Sequence, residues 1–181
     1  MPNLVLIGMK SSGKTTVGKL LAQKLDLRFT DLDAEVERLH FEQKRERIGF
    51  REIFQKYGKD YFRNLETDTL QALAAAPSQA PFVLATGGGV PLAEANRPIL
   101  QRMGTIVFLD VAEDMLLPRI TAGGIPVFFP YPNDPARSLA ELLAARRPIY
   151  QALAQITVAC RAEAQQTIAD RIINQLEKHA D

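Results

Sequence analysis

From Gly8 to Thr15 the chain reads Gly8-Met9-Lys10-Ser11-Ser12-Gly13-Lys14-Thr15, a G-x-x-x-x-G-K-T pattern that works only with a strand before it and a helix after it. Both are written into the neighbouring residues. Leu4-Val5-Leu6-Ile7 is an apolar run suited to a buried strand, and Lys14–Leu25 puts Val17, Leu20, Leu21 and Leu25 on one helical face. The glycines at 8 and 13 let the backbone turn so that successive N–H groups, through Ser11, Ser12 and Gly13 to Thr15 and Thr16, face a polyphosphate. The helix start adds the positive end of its dipole. Lys14 can reach β/γ oxygens as a point charge, and the Thr15 hydroxyl can ligate the Mg2+ that travels with ATP. A phosphotransferase with ATP as co-substrate is expected.

Further apolar runs at 27–30, 82–86, 105–109 and 156–159 alternate with helical stretches, so the fold class is α/β. The expected architecture is a three-layer P-loop NTPase fold, a central five-stranded parallel sheet flanked by helices. A last helix over 165–178 turns Ile168, Ile172, Ile173 and Leu176 inward. With 181 residues and 46% hydrophobic content, one domain over 1–181 is expected. Two stretches depart from simple alternation. Residues 34–75, with Phe54, Tyr57, Phe62, Leu65 and Leu70 at helical spacings, read as a small helical insertion that binds substrate; residues 121–138, rich in glycine and proline, read as a lid loop.

The balance of 22 basic against 21 acidic residues, net +1, argues against nucleic acid as a partner. Cys160 is the only cysteine, so neither an internal disulfide nor a cysteine zinc cage can form. There is no basic leader and no apolar run near the roughly 20 residues of a membrane span, and a soluble, cytoplasmic protein is expected. No apolar stripe is left over for a partner apart from Val127–Tyr131, so a monomer is expected.

A phosphate loop fixes the donor and leaves the acceptor open. Asp31-Leu32-Asp33 follows the second strand, outside the carboxyl end of the sheet where open α/β folds bind ligands. Strand alternation would aim both carboxylates the same way, one toward magnesium and one toward the attacking hydroxyl; a plain helix cap is the other reading. Gly87-Gly88-Gly89 either brings bare backbone close to a ligand or forms a flexible loop. Arg63 and Arg146 each could clamp a substrate carboxylate, although read alone each fits a solvated or salt-bridged surface arginine better.

In order and spacing, GMKSSGKTT, TDLDAEVE, FREIFQKYGKDYFRNLE, ATGGG and RRPIY resemble shikimate kinase over nearly the whole chain. That resemblance implies phosphorylation of the 3-hydroxyl of shikimate in the pathway to aromatic amino acids. It makes Asp33 the base and holder of shikimate hydroxyls, and places Asp31 with Thr15 near magnesium. Arg63 and Arg146 would grip the carboxylate, with Glu66 orienting Arg63; Gly87, Gly88 and Gly89 would offer backbone, and Phe54 and Phe62 an apolar wall. Arg119 and Arg161 would lie near the nucleotide.

The lid departs from that pattern. Where the family usually carries Arg-Pro-Leu-Leu, this chain has Ile125-Pro126-Val127-Phe128. An arginine on the phosphoryl group is worth about 10³ or more in rate. Three readings stand open: Arg137 swings in, Lys14 and magnesium carry the charge alone, or the acceptor differs. Two other functions remain beside shikimate phosphorylation: a kinase for another hydroxy acid such as gluconate, and a catalytically weakened nucleotide-binding regulator.

Overall fold

Leu4–Ile7 (β1) is a run of aliphatic residues without a turn former, and all four are fully buried because the strand lies in the middle of the sheet. On one side it pairs with β3 (Phe82–Ala85), beyond which lies β2 (Arg28–Asp31); on the other it pairs with β4 (Thr105–Val111), beyond which lies β5 (Ile156–Cys160). All four pairings are parallel, giving the order β2-β3-β1-β4-β5. The five strands expected from the apolar runs are all present in this computed structural model, which describes residues 3–76 and 80–180. Their ends shift by one or two residues, since pairing sets them: β4 runs on through Asp110 and Val111, opposite Ala159 and Cys160 of β5.

The chain leaves β1 through α1 (Lys14–Leu25) for β2, and later strands fill both flanks of β1. The crevice beyond the carboxyl end of β1 is therefore the switch point at which such sheets hold ligands. Asp31 pairs with Ala85, so Leu32-Asp33 and Thr86-Gly87 leave the sheet side by side. Two short 3₁₀ turns and α4 (Arg97–Met103) join β3 to β4; α5 (Glu113–Thr121) and α6 (Pro135–Leu153) lie between β4 and β5, and α7 (Gln165–Ala180) ends the chain. Helix α7 packs on α1, with Lys24 and Asp170 paired at 2.9 Å, and Ile168, Ala169 and Ile172 are its buried face. Cys160 is a core residue whose thiol burial pushes up to about 11, so it stays protonated.

The helical insertion is a pair, α2 (Leu32–Lys44) and α3 (Phe50–Ala75), starting two residues before the expected 34. Buried His40 of α2 meets the Tyr61 hydroxyl of α3 at 2.9 Å and the Tyr57 ring edge-on at 5.1 Å. Helix α3 is broken at Gly58, whose φ of 85° and ψ of 172° only glycine adopts readily. The lid segment is narrower than 121–138. Thr121 still belongs to α5, and Pro135–Ser138 already form α6, because Asp134 accepts from Arg137 N at 3.1 Å as N-cap and Pro135 fills the first helical position.

Candidate active site

The phosphate loop is shaped by what cannot carry a side chain. A Cβ on Gly8 would stand 2.8 Å from the Leu109 carbonyl, and Gly13, with φ 92°, makes the left-handed entry into α1. Ser11 also takes a left-handed φ of 63°. Ser12 is buried, and its Oγ accepts from Lys14 Nζ at 3.3 Å. Lys14 folds back on the loop, donating to the carbonyls of Met9 at 2.7 Å and Gly8 at 3.0 Å. Burial lowers its ammonium to about 8, opposed by Asp33 and Asp31. Thr15 and Thr16 are exposed on the first turn of α1, and Thr15 Oγ1 donates to Asp31 Oδ2 at 2.9 Å.

Beside this loop stands a cluster of acids, glycines and arginines. Asp31 is the N-cap of α2, accepting from Asp33 N at 3.0 Å, so the capping role is real and coexists with its place beside Thr15. Strand alternation does not apply beyond Asp31: Leu32 and Asp33 are helical, and Asp33 points into the cluster from the first turn of α2. Burial, and then Asp31, push the Asp33 carboxyl up to about 6 against the pull of Lys14. Glu66 on α3 is buried and ion-paired with Arg63; burial still raises it to about 7.

Each of the three glycines abuts a different group. A Cβ on Gly87 would lie 2.9 Å from Asp33 Oδ1 and 3.2 Å from Glu66 Oε1; on Gly88, 3.1 Å from the Lys10 backbone nitrogen; on Gly89, within the Arg63 guanidinium. A loop this tightly packed is no flexible connector. Thr86 pins it to β1, giving both its N–H (3.1 Å) and its hydroxyl (3.0 Å) to Leu6 O, and the Tyr150 hydroxyl donates to Gly88 O at 2.6 Å.

Arg146 of α6 reaches the same place, with NH1 3.7 Å from Met9 Sδ, while neighbouring Arg147 turns to Asp110 at 2.8 Å. Phe54 and Phe62 pack edge to face at 5.6 Å across the Gly58 break, and the Arg63 guanidinium lies 5.7 Å from the Phe62 ring. Arg119 and Arg161 lie apart from this cluster. Arg161 lines a cleft at the carboxyl end of β5 with Asp110, Asp114, Arg147 and Cys160, and Arg119 is exposed on α5, close enough to Cys160 to act on its thiol. Arg137 is held on α6 by Glu141 at 3.1 Å and stacks on Tyr131 at 4.1 Å. Sequence reasoning missed Lys10 and Tyr150. Tyr150 was within reach, since it lies four residues after Arg146 on one helical face; nothing local marks Lys10.

Residues 10–177 match the family model described as shikimate kinase. A shikimate kinase of Synechococcus sp. (strain RCC307) is 40% identical over 176 residues, covering 96% of this chain and 84% of that protein. One of Neisseria meningitidis serogroup C is 37% identical over 172 residues, covering 93% and 95%. Among solved structures, shikimate kinase from Acinetobacter baumannii in complex with shikimate superposes with a TM-score of 0.87 at 31% identity, covering 99% of this chain and 94% of that one.

Proposed function

This chain belongs to the shikimate kinase family, and from that premise we propose that it transfers the γ-phosphoryl group of ATP to the 3-hydroxyl of shikimate, releasing ADP and shikimate 3-phosphate. The observation that carries the reading to individual residues is the convergence of Asp33, Arg63–Glu66 and the glycine loop beside the phosphate loop. Asp33 accepts the hydroxyl proton as the oxygen attacks the γ-phosphorus and the bond to the bridging oxygen of ADP breaks. Arg63, oriented by Glu66, and Arg146 hold the acceptor carboxylate. Lys14 exchanges its carbonyl partners for β/γ oxygens, where phosphate charge restores its ordinary basicity. Phe54 and Phe62 wall the ring. Arg119 and Arg161, near the carboxyl ends of β4 and β5, serve the nucleotide.

Thr15 Oγ1 and Asp31 Oδ2, 2.9 Å apart, form the hard oxygen pair that suits Mg2+ shared with nucleotide phosphates. These residues would hold it, and it would neutralise charge on the phosphates. With Ile125 in place of the lid arginine and Arg137 paired with Glu141 and stacked on Tyr131, Lys14 is the side chain left to meet the transferring phosphoryl charge, with Mg2+ neutralising the rest when bound. The only large apolar side chains exposed among the described residues are Ile125 and Val127, too small a patch for a stable partner, and the working unit is a monomer. Among the described residues no helix is long and apolar enough to cross a membrane. The gluconate and regulatory readings draw no support from the relatives above.

The test is a coupled ADP-release assay with Mg-ATP and shikimate, run beside gluconate and a no-acceptor control. Shikimate-dependent release is expected. Release driven by gluconate, or none above the control, would overturn the reading.

A further inference from the structure

Within the lid segment the side chains divide. Val127 is 69% exposed and Ile125 44%, yet Phe129 is buried, and half-buried Phe128 packs on it edge to face at 5.3 Å. The Phe128 ring meets two cations from separate elements, Lys10 Nζ of the phosphate loop and the Arg146 guanidinium of α6, each 5.6 Å from its centroid. Neither cation has a carboxylate within 4.0 Å among the described residues. Two like charges brought to one ring repel, and the ring quadrupole only partly offsets that. Lys10 stands beside the acceptor cluster, its backbone nitrogen 3.1 Å from where a Cβ on Gly88 would lie.

We propose that Phe128 is a positioning residue that docks the lid on Lys10 and Arg146 and holds these two cations where together they bind a carboxylate. The identity of that carboxylate, shikimate, rests on the function proposed above; the docking itself does not. The ring fixes both cations at one place, and a carboxylate between them offsets the repulsion that opposes their meeting there. Lys10 thereby joins Arg63 and Arg146 as a third cation of the acceptor site. A lid without its arginine is fastened from below, by the site it covers.

The chain contains no tryptophan, so Phe128→Trp introduces a single reporter that keeps a π face. In the ligand-free protein its indole should be shielded from acrylamide, and Lys10→Gln added to it should expose the indole. Unchanged quenching in that double variant would overturn the docking, whatever the acceptor proves to be. In turnover, Phe128→Leu, which keeps apolar bulk without a π face, should raise the shikimate KM about fivefold, the scale of one partly desolvated cation–π contact. The ATP KM should stay put and Phe128→Trp should stay near wild type. If the leucine and tryptophan variants share one shikimate KM while the wild type turns shikimate over, Phe128 is only lid packing. A wild type inert toward shikimate would instead sink the functional reading.

Discussion

Asp33 is governed by competing influences: burial, Asp31 and Glu37 favour its neutral form, and Lys14 and Arg63 favour the anion. With its carboxyl raised to about 6, it can accept a proton only above that pH, while Lys14, lowered to about 8, begins to lose its charge beyond it. For the free enzyme, kcat/KM should therefore rise through about 6 and fall through about 8, the acid limb belonging jointly to Asp33 and its neighbour Glu66. Asp33→Asn should lower kcat by about 10²-fold or more, with Mg-ATP affinity by calorimetry nearly unchanged. Equal turnover in that variant would remove Asp33 as base. Gly89→Ala would push on the Arg63 guanidinium and should raise the shikimate KM about tenfold, the scale of one charged hydrogen bond, while sparing the ATP KM. At this scale the sequence was legible wherever a motif spans a few residues. The three glycines could be read directly and the Arg63–Glu66 pair through the family resemblance; the reason each glycine is bare could not, because Asp33, Lys10 and Arg63 reach them from three other segments.

Helix α3 carries the residues proposed for the acceptor site in two halves. Phe54 precedes the break at Gly58, and Phe62, Arg63 and Glu66 follow it. A Cβ at Gly58 would touch nothing within 4 Å, so Gly58→Ala tests backbone conformation alone. Forcing a residue with a side chain into that region should cost about 1–3 kcal/mol, seen as a lower Tm by circular dichroism and a higher shikimate KM as the halves realign. An unchanged Tm would mean that the break relaxes without strain. Apolar spacing showed that residues 34–75 are helical, yet a lone glycine in a helical pattern does not announce a break. Helix α6 was likewise concealed behind the proline-rich lid; its start lies in Asp134-Pro135, a cap followed by a first-turn proline.

In the whole molecule, the sheet sets out the loops and packing then changes the charges they carry. Glu66 and Asp33 both hold protons more tightly folded than unfolded, so each contributes stability that is fully present below the ordinary carboxyl range. That contribution is lost as pH rises through about 6 for Asp33 and about 7 for Glu66. The Glu66 part is of the order of 3 kcal/mol. Urea midpoints should fall between pH 5 and pH 8 in the wild type and fall less in Glu66→Gln; parallel slopes would show that Glu66 is not the group responsible. What the sequence by itself determined is the phosphate loop, its strand and helix, the α/β class and the family, because glycine torsions, apolar periodicity and motif order are properties of neighbouring residues. Tertiary structure alone decided that Asp33 is drawn toward neutrality, that Tyr150 holds the glycine loop and that Lys10 and Arg146 meet on Phe128. Those outcomes depend on burial and on side chains far apart in the chain, which come together only once strand order and register bring their loops to one end of the sheet.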